Sequence, residues 1–494
     1  MLKSILSALI LYLSLPNYFF HYGLGPLAWI FAVPLFFALE DKGPFQRMVR
    51  GWLFGLFFFG LALSWLATYN VLAYGAFVLL WSLQPLFFSF LYSPRDKHRA
   101  GDLFLIPALW ATAEFTYSQI LNGFSWTIGH SQAFNVPAIQ IANLFGSYGI
   151  SFFIIFFNYA LFRAMKDPRE RRFHFTAAAL SLLILFGYGF FSLLEQRNEP
   201  FLKNYLRIGI IQPNIRPQEI ENPLAINQII AKHLSLTEDS LPENPEMIIW
   251  PETTIPDDFL LQKPLREKVT QAAARANTYL LVGAALLRDG RDYNSAVLLD
   301  PNGNVADVYD KRFLVPFIEY SPGGKRVRDL QKFLKATSYD FLGGARAGIL
   351  SLRQNRSAKE IIGAVTICSE DHYPSLFRQF SSRGTKFAVV MLNDSWSPRD
   401  EAMIIHAPGS ILRAVENGLA VVRIANTGWS CFIDKYGRIS PKNTLPLNSR
   451  GFIVRPVCLA DRKTLYTRIG DIFAVLCLTF VIINYLLKIF QKKE

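Results

Sequence analysis

Three side chains that could act together in acyl chemistry each follow a short β-rich run of the sequence: Glu252, Lys311 and Cys368. A carboxylate can accept the proton of a thiol, and the resulting thiolate can attack a carbonyl carbon. An ammonium group held nearby can stabilise both the thiolate and the oxyanion that forms. These residue types therefore predict nucleophilic catalysis by Cys368, with Glu252 as base and Lys311 as electrostatic partner.

The sequence around Cys368 is typical of a nucleophile at the end of a strand. An apolar run ends at Cys368, and the polar segment Ser369–His372 follows it. A strand that ends in a sharp turn leaves backbone N–H groups available to an oxyanion. A lone cysteine is more often a buried structural thiol, so the prediction depends on the three motifs occurring together.

The segments that carry the two charged groups also favour a strand-end site. Pro251 ends a strand because it cannot donate to the ladder, so Glu252 is presented at the strand's carboxyl edge, where the sites of α/β domains gather. Lys311 begins a segment that contains a second carboxylate, Glu319. Glu319 could orient Lys311 or share a network with Glu252.

The region around these motifs alternates between strand-like and helix-like segments, an order typical of layered α/β domains. The strands are almost continuously apolar, which indicates sheets covered on both faces. The predicted strands are Tyr205–Gln212, Glu246–Trp250, Tyr279–Ala285, Val305–Tyr309, Ile361–Cys368, Phe387–Asn393 and Leu419–Asn426, and the predicted helices cover residues 223–238, 263–277, 374–382 and 401–417. Hairpin turns are predicted at residues 301–304 and 434–437.

The rest of the chain has the composition of a membrane protein. Of its 494 residues, 51% are hydrophobic and 43 are Phe. Eight apolar stretches approach the roughly 20 residues that a helix needs to cross the hydrocarbon core. They cover residues 4–20, 24–40, 51–69, 71–92, 101–119, 149–165, 174–194 and 469–489. We therefore expect a polytopic α-helical membrane domain of eight spans in addition to the α/β domain.

Positive charges mark alternate connections between the apolar stretches. The loops at 40–50, 93–100 and 163–173 and the C-terminal tail carry Lys and Arg, whereas those at 21–23, near 70 and at 120–148 carry none. Positively charged loops stay in the cytoplasm, so both termini are expected inside and the long block between the last two spans outside. The predicted domains are 1–198 with seven membrane helices, 199–465 as an extracytoplasmic catalytic domain, and 466–494 as the last helix and its tail.

Nucleic-acid, metal and nucleotide sites are not expected. The formal net charge of +13 could suggest nucleic acid, but many of the Lys and Arg residues lie between apolar stretches. The sequence contains no glycine-rich phosphate loop, and its cysteines, at 368, 431, 458 and 477, form neither a CxxC pair nor a His/Cys zinc pattern. The sequence leaves open whether Cys431 and Cys458 pair.

In combination, the three motifs resemble the nitrilase superfamily, whose Glu, Lys and Cys occur in this order on an α-β-β-α sandwich. Three segments, Trp250–Thr253, Lys311–Tyr320 and Asn393–Trp396, are similar to one membrane-bound branch, the apolipoprotein N-acyltransferase family of bacteria. The segment Trp126–Gln132 resembles that family's membrane-loop motif. The resemblance covers essentially the whole chain, and Lys311–Tyr320 is its most specific part.

The resemblance implies ping-pong acyl transfer without a metal or a soluble cofactor. Glu252 would accept the thiol proton, Cys368 would carry the acyl group as a thioester, and Lys311 with the backbone N–H of Ser369 would stabilise the oxyanion. The expected donor is a membrane phospholipid, and the expected acceptor is the α-amine of the diacylglyceryl-cysteine of an apolipoprotein. The protein would be a monomer in the bacterial inner membrane, with its catalytic domain on the periplasmic side.

The same resemblance gives further residues supporting roles. Glu319 would support the charged pair, and Glu370 would orient the nucleophile loop or the incoming amine. Contacts with substrate or with a lid are expected from Asn393, Trp396, Trp126 and Tyr320.

Three positions depart from the pattern of the family. Ser369 stands where an aromatic residue is common, Ser397-Pro398 where Phe-Gly is common, and His130 where Tyr is common. These changes leave Glu252, Lys311 and Cys368 in place and could alter the lipid preference.

Two other functions remain as alternatives. A nitrilase-type amidase with a small substrate would explain the three motifs but would leave the apolar stretches without a purpose. A membrane transport or binding protein with an inactive nitrilase-like domain would explain the stretches. However, transporters place ionisable pairs within the membrane, and Glu114 is the one clear charge buried in an apolar stretch here.

Overall fold

The chain forms two compact units, as seen in a computed structural model that describes residues 1–93, 101–195, 204–220, 225–253, 255, 262–333, 339–354, 359–396 and 400–491. A helical unit contains Met1–Ala67, Tyr74–Glu199 and Thr464–Glu494. An α/β unit contains Thr68–Ala73 and Pro200–Lys463. The α/β unit thus includes a short segment that lies far from the rest of it in the sequence.

The helical unit begins with a series of apolar helices. They are α1 (Leu2–Ser14), α2 (Ala32–Leu39), α3 (Pro44–Ala62), α4 (Ser64–Ala67), α5 (Val71–Leu91), α6 (Asp102–Ile120), α7 (Val136–Ile139), α8 (Ala142–Lys166) and α9 (Arg171–Glu195). A buried amide, Asn158 on α8, donates to the carbonyl of Ala28 at 2.9 Å and accepts from the N–H of Ala32 at 2.8 Å. Such a satisfied polar group can fix two elements in register within an apolar interior.

Two six-stranded sheets form the centre of the α/β unit. The strands are β1 (Tyr205–Gln212), β2 (Met247–Ile249), β3 (Tyr279–Arg288), β4 (Arg291–Leu299), β5 (Val305–Asp310), β6 (Ile349–Arg353), β7 (Glu360–Ile367), β8 (Phe387–Leu392), β9 (Ala420–Ala425), β10 (Ser430–Ile433), β11 (Thr444–Leu445) and β12 (Gly451–Cys458). The strand orders are β12-β1-β2-β3-β4-β5 and β11-β10-β9-β8-β7-β6. In each sheet the three strands that pair in parallel, β1-β2-β3 and β7-β8-β9, are extended by antiparallel neighbours.

The α/β unit also contains seven helices within its described residues. They are α10 (Pro217–Ile220), α11 (Ile226–Ser240), α12 (Lys263–Ala276), α13 (Lys325–Phe333), α14 (Pro374–Ser382), α15 (Asp400–Ile404) and α16 (Ala407–Asn417). One apolar core contains side chains of both sheets, including Ile249 and Val389, and a second lies between the first sheet and helices α11 and α12. Helix α16 packs on β9 of the second sheet. The fold is therefore a nitrilase-like α/β sandwich of helix, sheet, sheet and helix.

The chain ends with α17 (Leu465–Ile469) and α18 (Ile472–Gln491) in the helical unit. Among the described residues, four helices are long and apolar enough to cross a membrane: Val71–Leu91, Ala142–Lys166, Arg171–Leu194 and Ile472–Gln491. The expectation of eight spans is thus met in part. The first two predicted spans form shorter helical segments, Leu2–Ser14 and Gly25–Leu39, and α3 begins before the predicted third span, with Arg47 and Arg50 in its early turns.

The strands that sequence periodicity predicts are present, with ends that differ by a few residues. The antiparallel strands β4, β6 and β10–β12 were not predicted, because their runs are short or contain polar residues. The helix predicted over residues 401–417 is two helices, α15 and α16, separated by Ile405 and His406.

We predict that Gly283 is required for the geometry of the Glu252 strand end. A Cβ at Gly283, on β3, would lie 2.2 Å from the carbonyl oxygen of Pro251 and 2.7 Å from the Cα of Glu252. Gly283→Ala should therefore lower the free energy of unfolding by about 1–3 kcal/mol, as overpacking does. Gly209→Ala on β1 is the matched control, because its nearest neighbours would be at 3.5 Å. Equal thermal midpoints for the two variants would contradict the prediction.

Candidate active site

The structure brings Glu252, Lys311 and Cys368 together from both sheets. Glu252 follows β2, Lys311 follows β5, and Cys368 follows β7 of the second sheet. The Nζ atom of Lys311 lies 3.9 Å from Oε1 of Glu252. Glu252 and Lys311 are buried, whereas Cys368 is partly accessible. A partly accessible thiol beside two buried, opposite charges has the components of a nucleophilic site.

The backbone of Cys368 adopts a conformation that is uncommon for residues other than glycine. Its φ is +54°, and a 3-10 turn over Cys368–His372 follows at once. Non-glycine residues in the left-handed region cost free energy and cluster at functional sites. A strand that leads directly into such a turn is the arrangement of a nucleophile elbow.

Electrostatics keep the Cys368 thiol protonated at rest. Burial raises its pKa well above the usual range, and the charges of Glu252, Glu319 and Asp394 add to the rise, while Lys311 opposes it. Activation of the thiol therefore needs a base that accepts its proton as the new bond forms.

Glu252 is suited to accept a proton near neutral pH. Burial raises the pKa of its carboxyl to about 7; Lys311 opposes this rise, and Glu319 adds to it. Its Oε1 accepts from Nδ2 of Asn294 at 2.7 Å, and its Oε2 accepts from the backbone N–H of Asn393 at 2.8 Å. These two hydrogen bonds fix the plane of the carboxylate. Because its pKa is near 7, Glu252 can change its protonation state in the neutral pH range.

Lys311 stays charged although its side chain is buried. Burial acts to lower the pKa of its ammonium, but the charges of Glu319, Cys368 and Glu252 raise it above the usual value. The Nζ atom donates to Oε1 of Glu319 at 2.9 Å and lies 2.8 Å from its Oε2. Glu319 in turn accepts from the N–H of Val315 at 2.8 Å. A buried ammonium with this pairing can stabilise a developing negative charge without rearrangement.

Glu370 joins the strand end of the cysteine to that of the lysine. Its Oε2 accepts from the N–H of Ile367, directly before Cys368, at 2.8 Å. Its Oε1 accepts from the N–H groups of Arg312 at 2.8 Å and Phe313 at 3.2 Å, directly after Lys311. Both oxygens accept from the hydroxyl of Tyr309 at 2.8 Å. Burial raises the pKa of Glu370, and these donors oppose the rise.

Sequence reasoning missed Asn294, which links the two carboxylates. Its side-chain Nδ2 donates to Glu252 at 2.7 Å and to Glu319 at 3.2 Å. Its backbone carbonyl accepts from the N–H of Lys311 at 2.8 Å. The available signal was the polar pair Asn294-Ser295, which directly precedes the apolar end of β4. A buried amide within a strand needs partners, and here they are the charged groups of the site.

The remaining predicted site residues lie in different places. Ser369 is buried in the turn after Cys368, and the carbonyl of Tyr320 accepts from the N–H of Phe317 at 2.8 Å. Asn393 contributes its backbone N–H to Glu252, as described above. Trp126 belongs to the helical unit, where its ring contacts that of Trp81 at a centroid distance of 5.6 Å. The side chain of Trp396 and residues 397–399 lie outside the described part of the structure.

A group beside the nucleophile turn offers ligand atoms that a metal ion could use. Asp371, His372 and His406 place one such atom each within 4.8 Å of one another. However, Oδ2 of Asp371 already accepts from Ser410 at 2.6 Å and from the guanidinium of Arg423 at 3.3 Å. A fixed positive charge at that carboxylate opposes a cation. We therefore interpret the group as an ion-pair network that supports the turn.

All four cysteines of the chain are free thiols, so Cys431 and Cys458 are not paired in this structure.

The site and the sandwich are of the nitrilase type, and residues 207–465 match the family model described as carbon-nitrogen hydrolase. Residues 7–160 match a second model, the N-terminal domain of apolipoprotein N-acyltransferase. The chain belongs to the apolipoprotein N-acyltransferase family, which confirms the resemblance of its motifs.

Similar proteins match almost the full chain. A protein of Geobacter metallireducens named apolipoprotein N-acyltransferase is 31% identical, and the match covers 96% of this chain and 92% of the relative. A protein of the same name from Chlorobaculum tepidum is 30% identical over 96% of this chain and 93% of the relative. Among solved structures, an amidase from Nesterenkonia sp. AN1 is 16% identical, with a TM-score of 0.40. The match covers 54% of this chain and 94% of the amidase chain.

We predict that Glu370→Gln weakens both the fold and the nucleophile site. The substitution places an amide N–H₂ against backbone N–H donors, which leaves buried donors unpaired at about 1–3 kcal/mol each. The thermal midpoint and the rate of Cys368 alkylation should both fall. Glu219→Gln is the control, because Glu219 forms a partly exposed pair with Lys232, and such pairs contribute about 0–1 kcal/mol. Wild-type behaviour of Glu370→Gln would contradict the role of this carboxylate.

Proposed function

We propose that this protein transfers an acyl chain from a membrane phospholipid to the α-amine of the diacylglyceryl-cysteine of apolipoproteins. The observation that carries the proposal is the buried Glu252–Lys311 pair beside Cys368 in a chain of the apolipoprotein N-acyltransferase family. The family determines the kind of reaction, and the geometry gives each group a role.

In the first half-reaction, Glu252 accepts the thiol proton while the sulfur of Cys368 attacks an ester carbonyl of the phospholipid. Lys311, with the backbone N–H of Ser369, stabilises the oxyanion of the tetrahedral intermediate. The intermediate collapses when the carbon–oxygen bond breaks and Glu252 returns the proton to the leaving alkoxide. Lysophospholipid leaves, and the acyl group remains on Cys368 as a thioester.

In the second half-reaction, the α-amine of the diacylated cysteine attacks the thioester. Glu252 accepts a proton from the amine, the same donors stabilise the second oxyanion, and the carbon–sulfur bond breaks. Glu252 then returns the proton to the sulfur, which restores the thiol. The amide product is more stable than a thioester, so the direction of the transfer is set by the bonds formed.

Glu319 and Glu370 act on the site without reacting. Glu319 holds the ammonium of Lys311 through two oxygens, and Glu370 holds the two strand ends that carry Lys311 and Cys368. We propose Asn393, Trp396, Trp126 and Tyr320 as the residues that contact the lipid substrates or form a lid.

The proposed setting is the bacterial inner membrane, with eight spans, both termini in the cytoplasm and the catalytic domain in the periplasm. The alternation of charged and uncharged loops supports this orientation. It gives Cys368 access to the outer leaflet, where a phospholipid donor and a lipid-anchored acceptor are both available. All the proposed catalytic groups come from one chain, which supports a monomer.

A labelling experiment tests the proposed reaction. Purified protein incubated with phospholipid that carries a labelled acyl chain should gain one acyl group on Cys368, detected by mass spectrometry, and should pass it to a diacylated lipopeptide. Cys368→Ala should gain none, while Cys431→Ala serves as a thiol control away from the site. Transfer of the label to water or ammonia, but not to the lipopeptide, would favour an amidase. Absence of label in an active lipid mixture would exclude the acyltransferase and leave a membrane binding or transport protein.

The pH dependence of acylation should report Glu252. Only the carboxylate form can accept the thiol proton, and burial raises the pKa of this group to about 7. The rate of thioester formation should therefore rise with pH and level off above a midpoint near that value. Glu252→Gln should remove both the rise and most of the rate, by about a hundredfold or more. A pH-independent rate in the wild-type protein would contradict the assignment of the base.

Accessibility of single cysteines tests the orientation. In a variant that lacks the native cysteines, Lys442→Cys should react with a membrane-impermeant maleimide in intact spheroplasts. Phe45→Cys, at a position whose side chain is 70% exposed, should react only after the membrane is made permeable. The opposite pattern would reverse the proposed topology.

A further inference from the structure

The segment Thr68–Ala73 belongs to the α/β unit although it lies between helices α4 and α5 in the sequence. Its central residue, Asn70, is 1% exposed. A buried amide has two donor hydrogens and an acceptor oxygen to satisfy, so its partners show what it holds in place.

The side chain of Asn70 links the start of α5 to a turn of the active site. Its Oδ1 accepts from the N–H of Ala73 at 2.9 Å, which is the geometry of a helix N-cap. Its Nδ2 donates to the carbonyl of Phe317 at 2.8 Å. The oxygen and the nitrogen of this amide therefore make separable contacts, and the nitrogen reaches the turn.

The Phe317 carbonyl lies in a turn that needs external support. Phe317 has a φ of +65°, a conformation that L side chains rarely adopt. Its N–H donates to the carbonyl of Tyr320 at 2.8 Å. Besides Asn70, the carbonyl accepts from Nε2 of Gln331, on α13, at 2.6 Å. Two buried amides from distant parts of the sequence thus hold the same oxygen.

This turn positions Glu319, the partner of Lys311. The N–H of Val315 donates to Oε2 of Glu319 at 2.8 Å, and the N–H of Glu319 donates to the carbonyl of Val315 at 2.9 Å. Glu319 is only two residues from Phe317, so a shift of the Phe317 peptide is transmitted to the carboxylate. A shift of about 1 Å at a catalytic charge can cost a large part of the rate.

The neighbouring residue places the segment close to the reacting groups. The Tyr69 phenol interacts electrostatically with Tyr339, Glu319 and Cys368. The phenol therefore lies within the electrostatic range of both the nucleophile and the carboxylate that holds Lys311.

We propose that Asn70 is a positioning residue for acyl transfer: through the Phe317 carbonyl, its Nδ2 holds the turn that carries Glu319 against Lys311. The inference rests on the proposed function for the identity of the reaction. The site geometry on which this role depends can, however, be tested by alkylation of Cys368 in the absence of lipid.

Two substitutions separate the positioning contact from the helix cap. Asn70→Ser retains a cap acceptor but has no donor that reaches Phe317, whereas Asn70→Ala loses both contacts. The full-length wild-type protein and both variants are treated with iodoacetamide across a range of pH, and alkylation of Cys368 is followed by mass spectrometry. Thermal midpoints are measured in parallel.

Both variants should shift the pH midpoint of Cys368 alkylation to a lower value. Glu319 raises the pKa of Cys368 and of Glu252, so its displacement lowers both. In the presence of phospholipid, the rate of thioester formation should fall about fivefold to tenfold, the loss that corresponds to one hydrogen bond. Only Asn70→Ala should have a lower thermal midpoint, because only this variant loses the helix-cap acceptor.

A double-mutant cycle with Gln331 tests the shared carbonyl. If Asn70 and Gln331 act through the same oxygen, the effect of Asn70→Ser on the alkylation midpoint in a Gln331→Leu background should differ from its effect in the wild type. Full additivity would contradict a common target.

Two outcomes overturn the proposal. One is a wild-type alkylation midpoint in Asn70→Ser. The other is a loss of rate in Asn70→Ala alone, which would assign Asn70 to helix capping. Failure of the wild-type protein to form a thioester with phospholipid would instead overturn the proposed function, and the alkylation midpoints would still test the positioning role.

Discussion

The buried ammonium of Lys311 is the constraint on which the rest of the site depends. A buried charge is costly unless it is paired and hydrogen-bonded. Glu319 supplies the close pair at 2.8 Å, and Glu252 lies 3.9 Å away. Two carboxylates around one ammonium leave an excess of negative charge. Burial, opposed by Lys311, raises the pKa of the Glu252 carboxyl to about 7. Burial also raises the pKa of the Cys368 thiol, which therefore keeps its proton until a carbonyl is attacked.

The two-sheet architecture follows from the need to assemble these groups. Glu252 and Lys311 extend from strands of the first sheet, and Cys368 extends from the second. Packing of the two apolar faces fixes the distance between the sheets, but it does not fix the rotation of each strand end. Glu370 supplies that restraint, because one carboxylate binds the backbone before Cys368 and the backbone after Lys311. A carboxylate suits this task since it accepts several N–H donors at once.

Sequence patterns predicted the parts of the fold that repeat with a regular period. The parallel strands were predicted because they are apolar runs, and Glu252, Lys311 and Cys368 were predicted because each ends such a run. Asn294 could not be predicted in the same way, since it lies in the mixed first half of β4 and its partners are distant in sequence. The number of membrane spans was also not determined by apolar length alone. Helices α1 and α2 are interrupted or short although their sequences are apolar.

The segment Thr68–Ala73 shows why a catalytic domain defined by sequence boundaries is incomplete. An α/β domain that begins near residue 200 contains all the strands and all three proposed reacting groups. It lacks Asn70, which donates to the Phe317 carbonyl together with Gln331. The turn that carries Glu319 would then lose this donor, with Phe317 still at an unfavourable φ. The charge pairing of Lys311 is thus tied to a residue that precedes a membrane-length helix. The positioning role proposed for Asn70 therefore belongs to a segment that a domain boundary near residue 200 would leave out.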